Sequence, residues 1–238
     1  MRLNPSRGRM FPNVNWTGTY YQGCDHDCVY CWAKWMKVSH KPKLIQTDPT
    51  ELLKVRDCVV FLNSAHDGYS NCIPGEWIKQ KIQWMNIQDP SIIFYEQSKN
   101  TPRMRHYVET RQLETLKHRI ILGTTIETDD ATLAQSLSKA PIPYIRAVDM
   151  VAIRDLGYTT RLGLEPLYRF NPTVLANWIK TMRPSEVMAG LDNYAHRHKH
   201  IIPQPRIEDY RALRGSILDQ GITLVEKQSI QKWRLRAG

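Results

Sequence analysis

No run of 18 apolar residues occurs anywhere in the sequence, so a membrane-spanning helix is not expected. The opening stretch, MRLNPSRGRMFP, has no apolar core of the kind that marks a secretory signal, and a cytoplasmic protein is the expectation. Cysteine is scarce and odd in number, five in 238 residues, which suits a disulfide scaffold poorly. There is no repeat of fixed period and no low-complexity segment, which argues against solenoids and linkers. Acidic residues are also in deficit, 23 against 33 Lys and Arg, for a formal charge of +10. Such a balance favours polyanions such as nucleic acid, although the basic residues are scattered and a plain soluble basic surface is the alternative. Hydrophobic residues at 42% and charged residues at 24% can build an ordinary core. The chain reads as one domain over 1–238, with an N-terminal extension over 1–16 and a basic tail over 229–238.

What is present is alternation. Short runs rich in β-branched and aromatic residues fall at 17–23, 58–64, 91–98, 119–127, 158–166, 186–192 and 222–228, and read as strands. Helical candidates lie between them. TPRMRHYVETRQLETLKH (101–118) has two faces and an early proline, and DDATLAQSLSK (129–139) opens on a good N-cap type. NPTVLANWIKTM (171–182) pairs an Asn cap with a proline, and RIEDYRALRGSILDQG (206–221) closes on Gly221. This order predicts an α/β fold with a parallel sheet and crossover helices, either an open doubly wound sheet or a full or partial (β/α) barrel. In each case ligands collect at the C-terminal ends of the strands.

The cysteines that are present are concentrated there. In GCDHDCVYCWAKW (23–35), Cys24, Cys28 and Cys31 follow the first strand with CxxxCxxC spacing. Three thiolates on one loop can converge on a soft metal centre. They could ligate zinc with His26 or a distant residue, although structural zinc usually draws on a second ligand pair and none is seen. They could instead hold three irons of a [4Fe–4S] cube whose fourth iron lacks a cysteine. Chance clustering of buried cysteines is the third reading.

The segment GCDHDCVYCWA resembles the signature of the radical S-adenosylmethionine (SAM) enzymes, with an aromatic, here Tyr30, just before the last cysteine. That resemblance implies a partial (β/α) barrel with parallel strands of radical-SAM type, and two cofactors, a [4Fe–4S] cluster and SAM. It further implies that the open iron chelates SAM and that one electron from an external donor cleaves the C–S bond. The 5′-deoxyadenosyl radical so formed would take hydrogen from the substrate. Tyr30 would lie against the adenine.

Within that superfamily the chain resembles a phage- and archaeon-borne radical-SAM family of unassigned function, distantly related to spore photoproduct lyases. MFPNVNWTGTYYQGCDHDCVYCW looks like its opening, with Thr19-Tyr20-Tyr21-Gln22 where the family favours Trp-Asn-Pro. FLNSAHD is similar to its Ser-x-x-Asp strand end at Ser64 and Asp67, and QSKNTPRM to its third strand end at Ser98, Lys99, Arg103 and Met104. ILGTTIET matches at Gly123 and Glu127, and LGLEPLY at Leu164 to Leu167. In MAGLDNYAHR, Asp192 replaces the family's Glu, and VEKQ resembles a closing Lys-Gln-Trp without the Trp.

These matches suggest roles. Glu127 and Glu165 at strand ends could accept hydrogen bonds from ribose hydroxyls or the SAM ammonium, as could Ser98 and Thr125. Loop-stabilising ion pairs are the alternative for the two glutamates. Lys99 and Lys227 could meet the SAM carboxylate or an anionic substrate, or be solvated strand ends. Cys72, beyond His66, Asp67 and Tyr69 on the loop after the second expected strand, could donate a hydrogen atom to a product radical, as a cysteine does in spore photoproduct lyases, or be an incidental loop residue. Cys58 reads as core. The segment AHRHKH (195–200) could grip phosphates or a second metal, or be a solvated loop. The expected activity is reductive SAM cleavage to a 5′-deoxyadenosyl radical; its substrate is not read from the sequence, and nucleic acid, in repair or modification, is the leading class. The alternatives are a peptide- or protein-modifying radical SAM enzyme and a non-catalytic, zinc-stabilised nucleic-acid-binding module.

Overall fold

A computed structural model describes residues 3–6, 12–45, 53–197 and 202–236. Its main sheet has eight strands: β1 (Leu3–Pro5), β2 (Trp16–Gly18), β5 (Val59–Leu62), β6 (Ile93–Gln97), β7 (Ile120–Thr125), β8 (Thr159–Leu164), β9 (Glu186–Ala189) and β10 (Thr223–Glu226). The order is β1-β2-β5-β6-β7-β8-β9-β10, and every pairing is parallel except β1 with β2. A two-stranded ladder joins β3 (Tyr21–Gln22) to β4 (Lys43–Leu44). The helices are α1 (Trp32–Trp35), α2 (Gly75–Asn86), α3 (Thr101–Glu109), α4 (Ala131–Leu137), α5 (Pro143–Asp155), α6 (Pro172–Met182), α7 (Ile207–Asp219) and α8 (Gln228–Arg236). This is the α/β partial barrel. Among the described residues the sheet stays open between β1 and β10.

Strand alternation sorts the side chains. Val60, Leu62, Phe94, Leu122, Leu162 and Val187 join the large core shared with the helices. The intervening Phe61, Tyr95 and Met188 form a separate inner cluster with Val14. Arg161 also lies inside, its guanidinium 5.4 Å from the Tyr95 ring and 3.6 Å from Glu186.

All seven expected strand runs hold a strand, and the caps follow the sequence. Asn100, Asp130 and Asn171 each accept a hydrogen bond from the first turn of their helix. Gly221 takes φ +70 just past α7. The departures have local causes. The run 17–23 divides into β2 and β3, because the Tyr20 N–H turns to the Asn63 side chain at 3.1 Å instead of continuing a ladder. The expected helix 101–118 ends at Glu109, where Arg111 adopts a left-handed φ of 58, and resumes as a short 3-10 turn over Glu114–Leu116. The expected basic tail is largely helix α8, docked by fully buried Ile230 and by Trp233 against Tyr210 at 5.9 Å. Helices α2 and α5 were not expected. Among the described residues no helix is long and apolar enough to cross a membrane.

Candidate active site

A cavity of about 470 Å³ opens at the C-terminal ends of the strands. Its floor comes from the inward side of the sheet: Phe61, Gln97, Thr125, Gly163 and Met188. Gly163 is required there, since a Cβ would stand 2.9 Å from Thr125 Cγ2. One wall is the cysteine loop with Cys24, Cys28, Tyr30 and Cys31, and the wall nearer β8 to β10 carries Glu165, Asp192, Tyr194 and Lys227.

The loop is shaped from within and braced from outside. Asp27 takes φ 52, and the Cys31 N–H returns to the Cys28 carbonyl at 3.2 Å, which turns the two cysteines back on each other. The Val29 N–H donates to the Leu137 carbonyl at 2.9 Å, and the Lys139 N–H to the His26 carbonyl at 2.7 Å, fixing the loop to the end of α4. All five cysteines are free thiols. Burial, reinforced by the charge of Asp67, pushes the Cys24 thiol well up from its usual value.

Cys24, Cys28 and Cys31 all line this cavity, so the loop presents three thiols to one space. Three thiolates so placed have the chemistry of a soft metal centre, zinc or an iron–sulfur cluster.

Three polar assemblies surround the loop. The first centres on Asp67, whose carboxylate meets His26 Nε2 at 2.7 Å, Ser98 Oγ at 2.6 Å, and the N–H groups of Lys99 and Tyr69 at 2.7 and 2.9 Å. Burial alone would raise its pKa, but the His26 charge and these hydrogen bonds hold it at about 2. The second centres on Lys99. Its ammonium contacts the Tyr30 hydroxyl, lies 4.4 Å from that ring's centroid, and stands 3.9 Å from Cys28 Sγ and 3.8 Å from Glu127. The third is the pair Glu127–Arg146, bonded at 2.8 and 2.9 Å with both residues fully buried. Against the burial penalty, Arg146 and then Lys99 hold the Glu127 carboxyl at about 2.

The structure redistributes the expected ligands. Tyr30, Lys99, Thr125 and Glu165 line the cavity. Glu165 pairs with Lys227, and burial raises its carboxyl above the usual range in spite of that lysine. Ser98 lines the cavity too, but its hydroxyl is committed, donating to Asp67 and accepting from the Asn100 N–H at 2.9 Å. Glu127 does not line the cavity, because Arg146 occupies both its oxygens. Cys72 is likewise not on the cavity wall; its sulfur lies 3.3 Å from Ser70 Oγ and packs against the large core. Of AHRHKH, His196 and Arg197 are exposed, and 198–200 lie outside the described residues.

Several members of the site were missed. His40 Nε2 stands 3.5 Å from Cys31 Sγ and its ring meets that of His66 at 6.4 Å. Burial, with His40 nearby, depresses His66 to about 4. Arg146 had a legible signal: it shares the buried face of α5 with Met150 and Ile153, and an arginine on an apolar face asks for a carboxylate.

No protein-family model matches the chain. No curated protein matches it either. Solved structures do. A spore photoproduct lyase variant with bound AdoMet and dinucleoside spore photoproduct superposes with a TM-score of 0.66 at 10% identity, over 95% of this chain and 78% of that one. SuiB of Streptococcus suis bound to precursor peptide SuiA superposes with a TM-score of 0.59 at 10% identity, over 93% of this chain and 50% of that one. SuiB bound to S-adenosylmethionine gives 0.53 at 11% identity, over 88% and 45%. The chain thus spans about half the length of SuiB. At these identities the likeness establishes the fold alone, an α/β partial barrel shared with those proteins.

Proposed function

We propose that this protein is a radical SAM enzyme, with Cys24, Cys28 and Cys31 as ligands of a [4Fe–4S] cluster. The observation that carries the reading is the set of three free thiols on one loop, facing a shared cavity at the C-terminal ends of a radical-SAM-type barrel. When bound, the cluster and SAM supply one-electron C–S cleavage, fed by an external donor, and a 5′-deoxyadenosyl radical that takes hydrogen from the substrate. The order of the motifs further supports membership of the phage- and archaeon-borne family.

The chain's own residues bind and orient. Lys99 offers a cation beside Cys28 for the SAM carboxylate, and Glu127 with Arg146 holds that cation in place. Thr125 and Glu165 offer oxygens to the hydroxyl and ammonium groups of SAM. Tyr30, already against the Lys99 ammonium, supplies the aromatic wall for the adenine.

Nucleic acid is the substrate class best supported. The chain carries +10. Two aromatics line the cavity where its walls meet solvent, Trp32 at 37% exposure and half-buried Tyr194. Each has exposed cations in the chain beside it: Lys37, Lys41 and Lys43 follow Trp32, and Arg197 lies 5.9 Å from the Tyr194 ring. Aromatic faces flanked by cations suit unstacked bases and their phosphates. The lyase structure holds a dinucleoside photoproduct, which accords with this; SuiB, which holds a precursor peptide, keeps peptide as the second reading.

The test is anaerobic reconstitution with iron and sulfide, then incubation with SAM, dithionite, and single-stranded DNA, RNA or peptide pools. We expect a brown protein with about four irons per chain and 5′-deoxyadenosine in the products. A colourless protein that loads zinc and leaves SAM intact would overturn the reading. Product formed from peptides alone would transfer the substrate assignment to peptide.

A further inference from the structure

We propose that Asp67 is the positioning residue of this site: one carboxylate holds the cysteine loop and the Lys99 loop in a single arrangement around Cys28. Its redox consequence rests on the function proposed above; its structural consequence rests on geometry alone.

A carboxylate has about four acceptor positions. Asp67, 6% exposed, uses them evenly. Oδ2 meets His26 Nε2 and the Lys99 N–H, both at 2.7 Å. Oδ1 accepts from Ser98 Oγ at 2.6 Å and from the Tyr69 N–H at 2.9 Å. The four donors come from three chain segments. His26 stands in the cysteine loop, midway between Cys24 and Cys28; Ser98 and Lys99 follow β6; Tyr69 follows β5. Strands β5 and β6 are neighbours and hold their own loops together. The cysteine loop lies beyond the last β2–β5 pairing, at Gly18 and Leu62, and Asp67 ties it to the other two through His26.

Two routes run from this carboxylate to one cysteine. Through His26 it fixes the backbone two residues before Cys28. Through the Lys99 N–H it fixes the residue whose ammonium stands 3.9 Å from Cys28 Sγ. A cation near a ligating sulfur raises the reduction potential of a cluster. Asp67 therefore sets both where Cys28 lies and what charge it faces.

Asp67→Asn keeps the shape and removes half of the acceptor capacity. An amide nitrogen cannot accept, so a buried N–H of Lys99 or Tyr69 is stranded whichever way the amide turns. The fold should survive, because the cysteine loop is also tied to the loop after β5 by the Asp25 N–H, which donates to Ser70 Oγ at 3.0 Å. Ser98→Ala is the gentler variant, since its hydroxyl bonds Asp67 and the Asn100 N–H rather than the cysteine loop.

Two measurements decide the matter. In the metal-free chain, amide hydrogen exchange is followed at residues 24–31 and 98–101. Asp67→Asn should speed exchange about tenfold at both segments together, as expected for a lost charged hydrogen bond. Ser98→Ala should speed it at 24–31 as well, although no bond joins Ser98 to that loop. In the reconstituted chain, an EPR-monitored redox titration of Ser98→Ala, which loosens Asp67 without removing its charge, should give a lower midpoint than the parent. Parent-like exchange in Asp67→Asn, a Ser98→Ala effect confined to 98–101, or an unchanged midpoint would each overturn the proposal. A parent chain that takes up no cluster would sink the proposed function, and the exchange measurement would still decide the role of Asp67.

Discussion

Glu127 and Arg146 face each other as a two-pronged pair, Oε2 to Nη1 at 2.8 Å and Oε1 to Nη2 at 2.9 Å, with neither side chain exposed. Arg146 also contacts the Thr125 carbonyl, so one guanidinium secures the end of β7 and the carboxylate beyond it. Lys99 then stands 3.8 Å from that carboxylate. The pair is the support beneath the lysine.

Breaking it should be costly. Glu127→Gln leaves a buried guanidinium without its counter-charge, a change worth about 3–5 kcal/mol. We expect a clear fall in Tm and, in the folded fraction, weaker SAM affinity because Lys99 loses its anchor. Calorimetric unfolding with isothermal titration of SAM checks both. A variant as stable as the parent would show that the pair contributes little.

The cysteines should divide into two groups. Cys24→Ala, Cys28→Ala and Cys31→Ala should each abolish absorbance near 400 nm and bound iron. Cys58→Ala and Cys72→Ala should retain full iron. Cys72→Ala should also leave product yield unchanged, since its sulfur is not on the cavity wall. Iron counting and product chromatography on the five variants settle the division.

Acid should weaken the fold through two carboxylates. Asp67 and Glu127 are each held at about 2 in the folded chain, against ordinary values of 3.8 and 4.5. A depressed carboxylate stabilises the fold above its unfolded pKa, and that stability drains away as pH falls through the folded value. Asp67 contributes on the order of 2 kcal/mol and Glu127 on the order of 3 kcal/mol, lost between about pH 4.5 and pH 2. Tm measured against pH should drop steeply in that window, and the slope should flatten in Asp67→Asn and Glu127→Gln.

Binding to single-stranded nucleic acid should fall steeply with salt, because each neutralised phosphate releases counterions. Lys37→Glu with Lys41→Glu should lower both the affinity and the salt slope. Trp32→Ala should cost about 1–3 kcal/mol of affinity without changing the slope, as expected for a stacking contact. Single strands should bind better than duplex, since a target base must leave its stack to enter a cavity. Fluorescence anisotropy across a salt series measures all three.

The cysteine triad was legible because its spacing is local: eight consecutive positions carry three thiols and the aromatic between them. The strands were legible because each is a short β-branched or aromatic run with turn residues about it. Helix α2 was not, since its buried face includes Lys81, a fully buried cation satisfied by Glu96 on β6. A lysine on an inward face hides the helical period. Helix α8 escaped for a similar reason, since its single fully buried residue, Ile230, sits in a run of Gln, Lys and Arg.

By itself the sequence determined the thiol loop, the order of the strands along the chain and the net charge, all of which depend on residue type and near spacing. Which of the expected ligands face the cavity depends on contacts between distant segments of the folded chain. Ser98 is turned to Asp67 across 31 positions, Asp67 to His26 across 41, and Glu127 to Arg146 across 19. Those partners meet because β5, β6 and β7 lie side by side and the cysteine loop and α5 pack against their ends. A hydrogen bond or a buried ion pair is satisfied by whichever group the packing brings within about 3 Å, and residue type alone does not say which group that will be.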